Sequence, residues 1–151
     1  MPFTVTADPT IAFVDAVKTR LSADATLAAL VTGIYGHLSE AARVAYPYLV
    51  LGRRTSGELV GGGPMGLDAN QVSLQIDGWS DGKGPYAMSV IGSRVYAVLE
   101  RWTPAIPGFV MVTGSLTREM QEVFDEPDED KPNARLYRLV QRWTAEIHEA
   151  I

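Results

Sequence analysis

The 151-residue chain contains no cysteine, which removes disulfides and thiolate metal sites and excludes a secreted disulfide scaffold. Histidine is nearly absent. His37 and His148 lie far apart, the second beside the C-terminus, and no Gly-x-Ser-x-Gly elbow occurs. A lone histidine of this kind is ordinarily structural. No apolar run approaches the ~20 residues needed to cross a bilayer. The start, Met1 to Pro9, lacks a basic region followed by an apolar one, so the expectation is a soluble protein without a signal peptide and without a membrane partner. Broad excess charge is missing as well. The net charge is −5, yet Asp125, Glu126, Asp128, Glu129 and Asp130 fall within six positions, and setting them aside leaves 13 acids against 13 bases. A neutral body with one acidic segment disfavours general attraction to nucleic acid or anionic membrane.

Chemical motifs are equally scarce. Gly61–Gly66 satisfies G-x-G-x-x-G literally, but it contains Pro64 and precedes a strand pattern. A phosphate cradle needs a helix N-terminus there. Gly82-Lys83-Gly84 lacks the hydroxyl residue and the upstream glycine of a P-loop. The carboxylates of 125–130 do not have the spacing of a calcium loop, so a solvated acidic turn is expected. Trp79, Trp102 and Trp143 have no basic groove beside them, which makes them core or interface residues and not a base-stacking platform. No catalytic, cofactor or metal site is expected.

What the chain does have is pattern. With 46% apolar residues over this length, one domain spanning 1–151 can bury its own core. In Asn70–Trp79, Val72, Leu74 and Ile76 alternate with Gln71, Ser73, Gln75 and Asp77, which is a strand with one face on a core. Asp77-Gly78 interrupts that register and Trp79 has the wrong parity, as a bulge or strand end would produce. Met88, Ile91, Val95, Val98, Leu99 and Trp102 then draw one stripe along a helix. The chain opens with a helix capped at Asp8-Pro9, its apolar side being Ile11, Val14, Val17 and Leu21. A short helix over 25–31 follows, closed by Thr32-Gly33.

Further strands are expected at Ile34–Leu38 and from Tyr46 to about Thr55. Others fall at Gly108–Thr113 and Ser115–Phe124, and in the alternating run Ala134–Ile147. Gly57–Asn70, with five glycines, reads as a long loop that is functional or mobile, and Asp125–Asn133 as a solvated hairpin loop. The expectation is an α+β fold: a mostly antiparallel sheet of about 4–5 strands packed against a long central helix, with an N-terminal helix or helix pair.

The order of these features resembles a known family. The helix running into Leu21–Tyr35, the strand Tyr46-Pro47-Tyr48-Leu49-Val50-Leu51, the glycine-rich loop, Gln75–Ser80 before the helix, and the terminal strand Arg135–Ile147 are similar to the tail-completion, or tail-terminator, proteins of long-tailed bacteriophages, prophages and gene transfer agents. The resemblance implies a structural virion protein of the tail or neck, assembled in the host cytoplasm and not an enzyme. It implies a homo-oligomeric ring, expected to be a hexamer, that caps the tail tube and ends its polymerisation. The ring would join a head–tail connector or stopper protein, and DNA would pass the bore without sequence-specific contact. Glu58, Leu59, Val60, Met65, Leu67 and Asp68 are then candidate assembly-loop residues, ordering against a neighbour. Asp125, Glu126, Asp128, Glu129 and Asp130 become a candidate acidic lumen or surface segment. Two alternatives stand beside this reading: another neck or head-completion connector, and a small α+β enzyme or ligand-binding domain using 57–69 as a lid.

Overall fold

The computed structural model describes residues 9–36, 45–58, 69–82, 84–127 and 134–149. They form helices α1 (Pro9–Ser22), α2 (Ala25–Leu30) and α3 (Gly84–Leu99). The strands are β1 (Gly33–Tyr35), β2 (Tyr48–Glu58), β3 (Ala69–Asp81), β4 (Phe109–Met111), β5 (Thr117–Pro127) and β6 (Arg135–Glu149). The fold is α+β. Its single mixed sheet runs β1-β2-β3-β6, and the far edge of β6 is shared end to end by β5 and β4. Only β1–β2 is parallel among the described pairs. The helical side consists of three described helices, of which α3, with 16 residues, is the longest.

β3 and β6 pair without interruption from Ala69↔His148 to Asp81↔Leu136. The expected break at Asp77-Gly78 is therefore absent, and the bulge lies instead on β2, between Leu51 and Arg54. Gly78 continues the core parity of Val72, Leu74 and Ile76. It is glycine because a Cβ there would meet Leu49 Cδ2 at 2.9 Å and Leu139 Cβ at 3.3 Å. Trp79 keeps the opposite parity and sits on the other face of the sheet.

Leu49, Leu51, Val72, Leu74, Ile76, Leu139, Trp143 and Ile147 supply the sheet's share of the core. The helices contribute Phe13, Val14, Val17, Leu21 and Leu27, then Met88, Ile91, Val95, Val98 and Leu99. Each large side chain buried in this way contributes roughly 1.5–3 kcal/mol. On α1 the buried stripe is Thr10, Phe13, Val14, Val17 and Leu21, and Ile11 is 63% exposed. A helix advances about 100° per residue, so a face centred on 13/14 and 17 includes 10 and 21 and leaves 11 outside.

Asp24 caps α2, accepting from Leu27 N at 2.9 Å. The helix stops at Val31, which is already extended, and Gly33 is a strand residue and not a helix-ending glycine. Thr32 ties this junction to β2, its amide donating to Pro47 O at 2.7 Å and its hydroxyl to the carbonyls of Ala45 and Pro47. β2 begins directly after Pro47, whose peptide bond with Tyr46 is cis. α3 ends before Arg101, which takes the left-handed φ of 61°, so Trp102 lies beyond the helix and half-buried. β5 runs on through Pro127. Asp125 and Glu126 are thus strand residues and not part of a loop, because their partners Tyr137 and Leu136 on β6 continue the ladder.

Candidate assembly surface

The described residues hold no group of three His, Cys, Asp or Glu able to take a metal ion. His148 is buried in β6, its Nε2 3.4 Å from a Glu146 carboxylate oxygen, and its Nδ1 has no hydrogen-bond partner. His37 lies outside the described residues.

Of the predicted assembly loop, Glu58 is the last residue of β2 and pairs with Asn70. Leu59, Val60, Met65, Leu67 and Asp68 lie outside the described residues, as do Asp128, Glu129 and Asp130. Asp125 meets Arg135 across the β5–β6 hairpin at 3.4 Å, with both side chains about half exposed. The described members of the two predicted segments, Glu58 and Asp125, are not brought together. Asn70 pairs with Ile147 on β6 and Asp125 with Tyr137, ten residues apart. At about 3.3 Å per residue they sit roughly 33 Å apart, at opposite ends of the sheet.

The sequence reading missed a row of side chains across the face turned away from the core. Tyr48 of β2 pairs with Trp79 of β3, Trp79 with Arg138 of β6, and Arg138 with Phe124 of β5. Directly opposed residues point to the same side of a sheet, so the four form one transverse stripe. Tyr35 extends it at one end, edge-on to Tyr48 with ring centres 6.3 Å apart, and Tyr46 stacks on Tyr48 at 5.5 Å. Gly33 makes room for this, since a Cβ there would lie 2.5 Å from the Tyr35 hydroxyl oxygen. Burial, then the neighbouring Tyr46, pushes the Tyr48 phenol above its usual range.

Arg138 lies 5.3 Å from the Trp79 ring centre and donates to Asp77 at 3.1 Å. The Gln75 amide holds Asp77 from the other side at 3.1 and 3.3 Å. Tyr, Trp and Arg are the residue types that carry most binding energy at protein interfaces. Alternation exposed this row only partly, because a two-residue period gives the face of Trp79 but not which strand lies beside it.

Beneath the sheet a polar cluster fixes β5 and β6 to α3. The Gln141 amide, fully buried, donates to Gly92 O at 2.8 Å and to Gln121 Oε1 at 2.7 Å. Its own carbonyl oxygen accepts from the Trp143 indole at 2.9 Å. Arg118 donates to the same Gln121 oxygen at 2.6 Å and lies over Tyr96, 4.3 Å from the ring centre. A second tie joins α2 to α3: Arg94 donates to both Asp24 oxygens at 2.8 and 2.6 Å. The Arg94 hydrogen bond, then that of Leu27 N–H, lowers the Asp24 carboxyl to about 2. These contacts are scaffolding: they tie β5 and β6 to α3, and α2 to α3.

A profile of the family described as tail completion protein gp17 matches residues 15–148. No curated protein matches the chain. Among solved structures, a chain described within the virion of a native gene transfer agent particle superposes with a TM-score of 0.67. It shares 23% identity, and the alignment covers 88% of this chain and 93% of that one, a likeness of fold.

Proposed function

Because the chain belongs to the gp17 family of tail completion proteins, a family of phage tail structural proteins, we infer that it finishes a tail tube as a ring of identical subunits. Its place is the tail or neck of a phage or phage-like particle. In this reading six copies close head to tail, end tube polymerisation and offer their opposite surface to the head's connector, while DNA passes the bore. Its activity is assembly, performed by surfaces and not by a catalytic step. The observation that carries the reading is the family match across 15–148.

The geometry agrees with what such a ring requires. A closed ring uses two different lateral surfaces and two different axial ends. The sheet has unlike edges, short β1 and long β5, and its strands end about 33 Å apart in the segments 58–70 and 125–137. Residues 58–70 would contact the tube or a ring neighbour, and Glu58, Leu59, Val60, Met65, Leu67 and Asp68 are the contact candidates. The acidic residues 125–130 would repel DNA wherever they line the bore.

The test is deletion of the gene in a particle-producing strain, followed by electron microscopy. The expected result is tubes of uncontrolled length without heads, and six-fold density at the tail end on complementation. Tubes of normal length joined to heads in the deletion strain would overturn the assignment.

A further inference from the structure

The longest open backbone edge among the described residues belongs to β5. This strand pairs with β6 along one side from Thr117 to Pro127, and its other side has no strand partner among the described residues. None of its side chains is buried. An edge of 11 residues presents a row of N–H and C=O groups that one further strand can satisfy. The composition of β5 narrows the choice of that strand. Glu119, Glu122, Asp125 and Glu126 stand on it against one base, Arg118, which turns inward to Gln121 and Tyr96. A second β5, or any acidic strand, would bring like charges into opposition, which is destabilising. Met120 and Phe124 lie on the outer face of this edge, and Phe124 is 38% exposed. The matching strand is therefore uncharged, β-branched and apolar on alternate residues.

One segment of the chain has that composition. Phe3, Val5 and Ala7 alternate with Thr4 and Thr6, and no charged side chain falls among them. These residues lead into α1 and lie outside the described residues. The longer segments outside them differ. Residues 37–44 include Glu40 and Arg43, 59–68 include four glycines and Pro64, and 128–133 open with four charged residues in a row. The fold also sets where residues 3–7 join it. α1 packs over β1, β2 and β3, while α3 covers β5 and β6. The segment therefore enters on the half of the sheet away from β5.

We propose that residues 3–7 of one copy add a strand to the open edge of β5 in the neighbouring copy, with Phe3 and Val5 lying beside Phe124 on the outer face. The proposal rests on the ring reading and deepens it: the α1 half of the sheet and the β5 edge become its two unlike lateral surfaces. Main-chain hydrogen bonds hold the added strand, and its alternating side chains fix the register. Such a contact joins different patches on successive subunits, so it propagates and closes.

The chain's lack of cysteine gives a clean test. Val5→Cys and Phe124→Cys are made singly and together, and the purified chain and intact particles are treated with a short bis-maleimide, whose arm spans a register slip of about two residues. The double variant is expected to give a ladder of bands rising to the full ring. The two single variants, co-expressed with tags of different size, should give a mixed dimer, while each alone stays monomeric on the denaturing gel. Of Thr4→Pro and Val5→Pro, the one whose amide faces β5 is expected to weaken ring formation at least tenfold, with the melting temperature of the unassembled chain unchanged. Ring formation unchanged in both would overturn the proposal. Cross-linking within one chain and no mixed dimer would put the segment on its own β5, and dimers from Phe124→Cys alone would mean that β5 pairs with itself; either result overturns it. Rings seen by native mass spectrometry or microscopy, with no cross-link, would overturn this contact and leave the ring reading intact. Absence of any ring in solution and in particles would remove both.

Discussion

Replacing Gln141 with leucine keeps the volume of a fully buried side chain and deletes three hydrogen bonds at once. The three losses are unequal. Gly92 O lies within α3, where helical bonding supplies it a second donor, and Gln121 keeps Arg118 at 2.6 Å. Trp143 is 1% exposed and its indole N–H has Gln141 as its acceptor, so this donor is left buried and unpaired. An orphaned buried donor costs about 1–3 kcal/mol, and each lost hydrogen bond about 1 kcal/mol net. The sum is about 3–5 kcal/mol, a large share of the ~5–15 kcal/mol typical of a domain.

At about 2–4 °C per kcal/mol for this size, Tm should fall by roughly 6–20 °C. Urea melts of the wild type, Gln141→Leu, Trp143→Phe and the double variant close a cycle. Trp143→Phe has its own packing cost, but it also removes the orphan, so the double variant should be better than the sum by about 1–2 kcal/mol. A cycle that closes at zero, or a Gln141→Leu penalty below about 1 kcal/mol, would refute the view that this cluster fastens β5 and β6 to α3.

Other perturbations probe the remaining supports. Gly78→Ala places a methyl 2.9 Å from Leu49 Cδ2 within the core and should cost about 1–3 kcal/mol by overpacking, read from the urea midpoint. Phe13→Ala should cost about 3–5 kcal/mol, and Ile11→Ser less than about 0.5 kcal/mol, since only the first side chain is inside. Asp24 has its folded carboxyl lowered from 3.8 to about 2, so its contribution is complete above pH 4 and is lost as pH falls through 2. Asp24→Asn should therefore lower Tm at neutral pH and flatten the acid limb of Tm against pH between about 4 and 2. An unchanged acid limb would remove the Arg94 tie as a source of acid sensitivity.

Much of this protein was legible in its residues because local periodicity reports burial directly. Val72, Leu74 and Ile76 fall on the core face of β3 as alternation requires, and Met88, Ile91, Val95, Val98 and Leu99 on the core stripe of α3. The resemblance carried by the Tyr46–Leu51 strand and its neighbours led to the family that the profile match establishes. Periodicity fails where a side chain's surroundings come from elsewhere in the chain. Trp79 read as a register error because the sequence does not show that Leu49 and Leu139 fill the space beside Gly78, or that Arg138 waits on the outer face. Gly33 read as a helix stop because Tyr35 folding over it is a strand event.

The proposed assembly surfaces divide in the same way. The acidity of 119–126 is a property of the residues themselves, and so is the absence of a catalytic signature. That β5 is an edge and β6 is not, and that α1 lies over the half of the sheet away from β5, depends on which strands and helices become neighbours. Such adjacency joins residues as far apart as Asp24 and Arg94, and it is decided by how the whole core closes. Only the tertiary structure settles it, because burying one shared apolar interior fixes all those long-range positions together.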